Sequence, residues 1–173
     1  MANQLRLASP LQQDSFVDGP GIRMVLWTQG CHHHCPGCHN PLTHDILGGL
    51  LYDVDTIIEQ MKEAKLQSGF TLSGGEPFLQ AKELMPIVDT AKELHLNIWA
   101  YSGFTYEELI KNPAAYALLK KIDVLVDGKF LQEQKDHRLV FKGSRNQRII
   151  DVQQSLLEGA IVLSSYDEKN ILD

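Results

Sequence analysis

All three cysteines of this chain fall within eight residues, in Gly30-Cys31-His32-His33-His34-Cys35-Pro36-Gly37-Cys38-His39-Asn40, spaced C-x3-C-x2-C. Thiolates are soft ligands suited to iron–sulfur clusters, zinc or Cu(I). Three so close together converge only if the backbone loops around a common point, and Pro36-Gly37 supply that loop chemistry. Any fold for this chain therefore has to present a loop here. A [4Fe–4S] cluster normally takes four cysteines, so three would leave one iron open to an outside ligand, which suggests chemistry more than structure. A closed Cys3His zinc site, completed by His32, His33, His34, His39 or His44, uses the same residues. Ordinary free thiols are the third reading. Disulfides are not expected from an odd number of cysteines at such short spacings.

Just before the loop, Ile22-Arg23-Met24-Val25-Leu26-Trp27-Thr28 has strand character. The thiols then lie past the C-terminal end of a strand, where parallel α/β sheets gather their sites. Residues 1–20 read as loop, closing in the rigid turn Asp18-Gly19-Pro20-Gly21. Arg23 reads as a surface charge, with an anion clamp as the alternative. A helix capped by Asp53 or Asp55 runs to about Leu66, burying Ile57, Ile58, Met61 and Leu66. Strand 69–73, helix 79–94 and strand 96–101 follow. Next come a helix capped by Thr105 with Glu107 and Glu108 in its first turn, and strand 122–127. Segments 147–152 and 160–163 read as further strands with a short helix between.

This alternation predicts βαβ units and a mostly parallel sheet. A closed (β/α)8 barrel needs about 250 residues; with 173, an α/β open partial (β/α) barrel is expected, as a single domain over 1–173. Hydrophobic residues make up 43% and charged residues 22%, ordinary for a soluble globular chain. The formal charge of −6 argues against a general nucleic-acid binder. No signal peptide, no membrane-length apolar run and clustered cysteines together lead to the expectation of a reducing cytoplasm.

A second motif, Ser73-Gly74-Gly75-Glu76-Pro77, ends a predicted strand. Paired glycines permit positive φ and close approach of a ligand to the backbone, and Glu76 offers a carboxylate to an ammonium group. A simple tight turn is the plainer reading. A phosphate-binding loop would need a Walker-type lysine and serine, which are missing. C-x3-C-x2-C followed by a Gly-Gly-Glu-Pro strand end resembles the radical S-adenosylmethionine superfamily. Asp18-Gly19-Pro20-Gly21-x-Arg23, Trp27-Thr28-Gln29-Gly30-Cys31, Cys35 to Pro41, Asp123 to Gly128 and Gly143-Ser144-x-Asn146-Gln147-Arg148 are similar to the small activating proteins of anaerobic (class III) ribonucleoside-triphosphate reductases. The resemblance covers about residues 14–152.

The resemblance implies a fold of the radical S-adenosylmethionine type. It also implies a [4Fe–4S] cluster on Cys31, Cys35 and Cys38 whose open iron is chelated by the amino and carboxylate groups of S-adenosylmethionine. Ser73, Gly74, Gly75 and Glu76 would receive that moiety, and Gly37, Cys38 and His39 would lie near the adenosine. Asp127 and Lys129 match an Asp-x-Lys that binds the same cofactor in the pyruvate formate-lyase activase. Cofactor cleavage gives a 5′-deoxyadenosyl radical that takes hydrogen from a backbone glycine of the reductase, so no side chain is expected to be catalytic. Flavodoxin is the implied electron donor. Gly37 stands where many relatives carry an aromatic residue, which leaves adenine packing to other groups, with His39 a candidate. The triple histidine reads as a solvent-facing loop, and Lys142, Arg145 and Arg148 as a basic group serving the partner or the cofactor's carboxylate, or as a solvated loop. Two alternatives are an activase of another glycyl-radical enzyme, such as pyruvate formate-lyase, and a non-catalytic zinc-binding module.

Overall fold

A computed structural model describes residues 3–168. Its elements in chain order are β1 (Gln4–Leu7), β2 (Gln12–Ser15), β3 (Arg23–Thr28), β4 (Leu50–Asp53), α1 (Val54–Glu63), β5 (Gly69–Gly74), α2 (Ala81–Glu93), β6 (Asn97–Tyr101), α3 (Tyr106–Leu109), α4 (Pro113–Leu119), β7 (Val124–Asp127), β8 (Arg148–Asp151), α5 (Val152–Glu158) and α6 (Ser165–Glu168). The strands form one open sheet in the order β4-β1-β3-β5-β6-β7-β8, with β2 also paired to β3.

The centre, β3-β5-β6-β7, is parallel, as the strand–helix alternation predicts. The flanks are not. β1 pairs antiparallel with β3 and β4, β2 with β3, and β8 with β7. The sheet is therefore mixed, which corrects the expectation of a mostly parallel one. The cause lies in the connections: the flanking strands are joined without the covering helix a parallel crossover needs.

Alternation along the central strands divides the core by face. Met24, Leu26, Phe70, Leu72, Ile98, Ala100 and Leu125 pack against Ile57 and Met61 of α1, Leu84, Ile87, Val88 and Ala91 of α2, and Leu118 and Leu119 of α4. The opposite face carries Trp99, Val124, Val126 and Ile149, with Tyr101 and Phe141 against them. The long helices thus cover one face, and the other is shared between the site and the short α6, whose Tyr166 packs on Trp99 and Phe141.

Several local expectations change. Residues 1–20 are not all loop, since β1 and β2 lie there; β1 buries Leu5 and Leu7, whereas β2 is largely polar. The helix after Asp53 stops at Glu63, and Leu66 is exposed. Asp53 sits at its N-cap without a side-chain hydrogen bond. Thr105 does cap α3, through a reciprocal capping box with Glu108. Of segment 160–163 only an isolated bridge, Ile150 to Leu163, pairs. Among the described residues no helix is long and apolar enough to cross a membrane.

Arg23 is neither a surface charge nor an anion clamp. It is 1% exposed, and all its donors go to neutral acceptors: Nε to Thr71 Oγ1 at 2.8 Å, Nη1 to Pro20 O and Asn97 Oδ1, and Nη2 to Phe70 O and Asn97 O. The guanidinium lies 5.6 Å from the Trp99 ring centroid, a cation–π distance. Burial draws its pKa down to about 10, so it stays charged at neutral pH. It closes the sheet's lower end by tying the Asp18–Gly21 turn to β5 and β6.

Candidate functional site: a thiol-lined cavity

The C-terminal ends of β3, β5, β6 and β7 open on one cavity of about 430 Å³. Each end contributes to its wall: Cys31, Cys35, Cys38 and His39 after β3, Ser73-Gly74-Gly75 at β5, Ser102-Gly103 after β6, and Gly128 after β7. Trp27, Ser73, Tyr101 and Val126 line it from the strands, above the row Val25, Thr71, Trp99 and Val124 that the register aligns. That volume suits a small-molecule ligand.

The cysteine loop is fastened at its root. Gly30 N donates to Thr43 O and Cys31 N to His44 O. Within it Cys38 N donates to Cys35 O, closing a turn through Gly37, whose φ of +76° favours glycine. All three thiols are free; Cys31 is buried and the other two are partly exposed. Burial pushes the Cys31 thiol up, against the pull of the His33 and His34 backbone amides. Asn40 N donates to Cys38 Sγ at 3.4 Å.

The paired glycines have a packing reason. Gly75 N donates to Thr28 O and Glu76 N to Gly30 O, both at 2.8 Å. A Cβ on Gly75 would lie 2.3 Å from Gly30 O, and one on Gly74 2.4 Å from Thr28 N. The backbone that approaches them is the root of the cysteine loop itself. Glu76 is 1% exposed and does not face open space. Its Oε1 accepts from Ser102 Oγ and Phe78 N, and its Oε2 from Gly103 N and His33 Nε2. The triple histidine is consequently not uniformly solvent-facing: His32 and His34 are exposed, but the His33 side chain is only 8% so.

The far wall comes from residues 128–147. Gly143-Ser144-x-Asn146-Gln147-Arg148 is a loop scaffold. Gln147 Oε1 accepts from Gly143 N and Ser144 N, its Nε2 donates to Gly128 O, and Asn146 Nδ2 donates to Lys129 O. Lys142, Arg145 and Arg148 do not form one basic group. Lys142 lines the cavity and pairs with Asp167 at 3.1 Å, Arg145 pairs with Asp136 outside, and Arg148 spans Asp127 and Glu107. Asp127 and Lys129 line a neighbouring depression. There Asp127 accepts from Arg148 Nε and from Tyr106 N. Phe130 and Phe141, which the sequence reading passed over, line the main cavity, and Phe130 stands 5.2 Å from His39. Phe130 follows the end of β7 by three residues, which was the available signal; Phe141 lies mid-loop between β7 and β8 and carried none.

The three thiols test differently against the two metal readings. Among the described residues no three His, Cys, Asp or Glu side chains come together as a single-ion site. A zinc site needs all its donors on one ion, whereas a four-iron cube takes its thiolates on separate irons. Three thiols on one cavity, with no fourth cysteine in the sequence, fit the donor set of a cluster held by three cysteines.

Comparison with known proteins agrees with an iron–sulfur class. The family model described as a 4Fe-4S single cluster domain matches residues 17–150. The chain is 40% identical over 141 residues to the anaerobic ribonucleoside-triphosphate reductase-activating protein of Haemophilus influenzae, covering 77% of this chain and 90% of the relative. The protein of that name from Escherichia coli K12 is 36% identical over 141 residues, covering 76% and 90%. That of Enterobacteria phage T4 is 33% identical over 141 residues, covering 78% and 86%. The chain belongs to the family of anaerobic ribonucleoside-triphosphate reductase-activating proteins.

Proposed function

We propose that this chain is the activating enzyme of an anaerobic ribonucleoside-triphosphate reductase, a radical S-adenosylmethionine oxidoreductase that generates the reductase's glycyl radical. One observation carries the reading: every thiol of the chain and the Ser73-Gly74-Gly75 strand end open on the same cavity. A [4Fe–4S] cluster held there would supply the electron for reductive cleavage of S-adenosylmethionine, the chemistry by which hydrogen would be taken from a backbone glycine of the reductase.

The chain's own groups bind, orient and shield. Cys31, Cys35 and Cys38 would hold the cluster, and with three thiols for four irons one iron would be left to the cofactor. Ser73, Gly74 and Gly75 offer backbone edges to the methionine moiety, and Glu76 supports them from behind. Gly37, Cys38 and His39 flank the adenosine, with Phe130 supplying the aromatic face that Gly37 lacks. Asp127 and Lys129 act through Gly128, the residue between them, which does reach the cavity. Phe130, Phe141 and Val126 keep water from the reacting centre. No side chain transfers a proton, since the radical belongs to the cofactor.

The open mixed sheet is read as a partial (β/α) barrel of the radical S-adenosylmethionine type, one domain over 1–173. The reading places the protein in a reducing cytoplasm with flavodoxin as electron donor, and gives it neither a nucleic-acid nor a membrane partner. The names of the relatives do not favour a pyruvate formate-lyase activase, and the match to a 4Fe-4S single cluster domain does not favour a zinc module. The test is anaerobic reconstitution with iron and sulfide, reduction, and EPR with and without S-adenosylmethionine. A reduced-cluster signal that changes with the cofactor, release of 5′-deoxyadenosine and a glycyl-radical doublet on the reductase are expected. Bound zinc and a silent spectrum would overturn the assignment.

A further inference from the structure

We propose that His33 is the positioning residue of the cysteine loop: its imidazole, seated on the buried carboxylate of Glu76, fixes the segment between Cys31 and Cys35 against the ends of β5 and β6. The proposal rests on the cluster reading above for its consequence, though not for its geometry.

Glu76 is the hub. Its two oxygens offer about four acceptor positions, and four donors fill them: Phe78 N from its own strand end, Ser102 Oγ and Gly103 N from the end of β6, and His33 Nε2 at 2.9 Å. Among these His33 is the one contribution from the cysteine loop. The ring is held on its other sides as well. Its centroid is 4.5 Å from that of Phe104 in an edge-to-face contact, and a Cβ on Gly103 would fall 2.4 Å from its Cδ2. Gly103 is thus shaped to admit this imidazole. Neither neighbouring histidine is held so: His32 and His34 are exposed.

A loop that presents three thiols loses conformational freedom when it takes up a cluster. A hydrogen bond to a buried carboxylate, stronger than one between neutral groups, removes part of that freedom in advance. The root bonds at Gly30 and Cys31 fix where the loop leaves the sheet, and His33 fixes its crest. Groups that hydrogen-bond a metal ligand typically alter metal affinity about 10- to 100-fold. The His33 imidazole bonds Glu76 rather than a thiol and acts instead through the backbone that joins Cys31 to Cys35, and that range is the scale expected of its effect.

The test uses the full chain with His33→Ala, His33→Gln and His33→Asn. The glutamine amide nitrogen reaches the place of imidazole Nε2, while that of asparagine stops near Nδ1. Alkylation of Cys35 in metal-free protein reads the tether alone. It should run about tenfold faster in His33→Ala and His33→Asn than in wild type, with most of the protection restored in His33→Gln. Iron release from the reconstituted protein to a chelator should follow the same order, about 10- to 100-fold faster in the alanine variant. Equal alkylation rates in wild type, glutamine and asparagine variants would overturn the proposal, as would unchanged iron release in an alanine variant with unchanged circular dichroism. If wild type takes up no cluster, the cluster reading fails while alkylation still decides the tether.

Discussion

Gly75 has no space for a side chain, and the obstacle on its Cβ side is backbone. Gly30 O would lie 2.3 Å and Thr43 O 2.9 Å from an added methyl, and neither can rotate away. Gly75→Ala should therefore cost about 1–3 kcal/mol as overpacking, measured by urea unfolding, and should lower iron content by pushing the cysteine loop off β5. Unchanged stability and iron would show that the loop root is free to shift. Arg23 makes the opposite demand. Arg23→Met would strip partners from Thr71 Oγ1, Phe70 O, Pro20 O and Asn97, and a buried acceptor left alone costs about 1–3 kcal/mol. A loss of more than about 3 kcal/mol in urea unfolding is expected, and Arg23→Lys should not rescue it, because one ammonium cannot span the same fork. A loss below about 1 kcal/mol would mean that these acceptors find other donors. The motif around Arg23 was visible in the sequence but its burial was not, since composition assigns an arginine to the surface until the strands that supply its acceptors are assembled. His33 was hidden for the same reason: nothing local separates it from His32 and His34, and only Glu76, forty-three positions on, does so.

The elements that could be read were those whose pattern is their own. β3, β5, β6 and β7 are apolar runs ending in glycine or polar punctuation, and α1 and α2 repeat their buried residues at helical spacing. β2 is Gln-Gln-Asp-Ser and buries only its last residue, and β4 is a mostly exposed edge strand. Neither carries a periodic signal, so pairing with β3 and β1 makes them strands. The direction of β8 was likewise set by its partner. Lying antiparallel to β7, it places Arg148 opposite Asp127, and Arg148 then bridges to Glu107 on α3 at 2.8 Å. The hydrogen bond from Arg148 holds the Glu107 carboxyl below its ordinary value of 4.5. A depressed carboxylate contributes stability that is complete above the unfolded value and lost as pH falls through the folded one. Glu107 is 53% exposed, so solvent screening keeps the contribution under about 1 kcal/mol. Glu107→Gln should lower stability slightly at neutral pH and flatten its decline between about pH 5 and pH 3, followed by urea midpoints. An identical acid decline in both proteins would show that α3 is not held by this bridge.

The two faces of the sheet divide stability from chemistry. The large apolar core, with Leu84, Ile87, Leu118 and Leu119 fully buried, lies on the helical side, whereas the thiols and their cavity are reached from the ends of the parallel strands. The cysteine loop is joined to the rest by hydrogen bonds at Gly30, Cys31 and His33, not by a core of its own. In a zinc finger the metal substitutes for a core, and its removal unfolds the chain. Here the core stands without it. Chelating the cluster should leave a protein with native far-UV circular dichroism and cooperative melting, because a ligand bound to the folded state adds only its own linkage to stability. Amide exchange should quicken between residues 31 and 44 and stay slow in β5, β6 and α2, whose hydrogen bonds open only with the whole fold. Loss of cooperative melting on chelation would mean instead that the loop and the sheet fold as one unit. The three thiols would then be part of what holds the chain together.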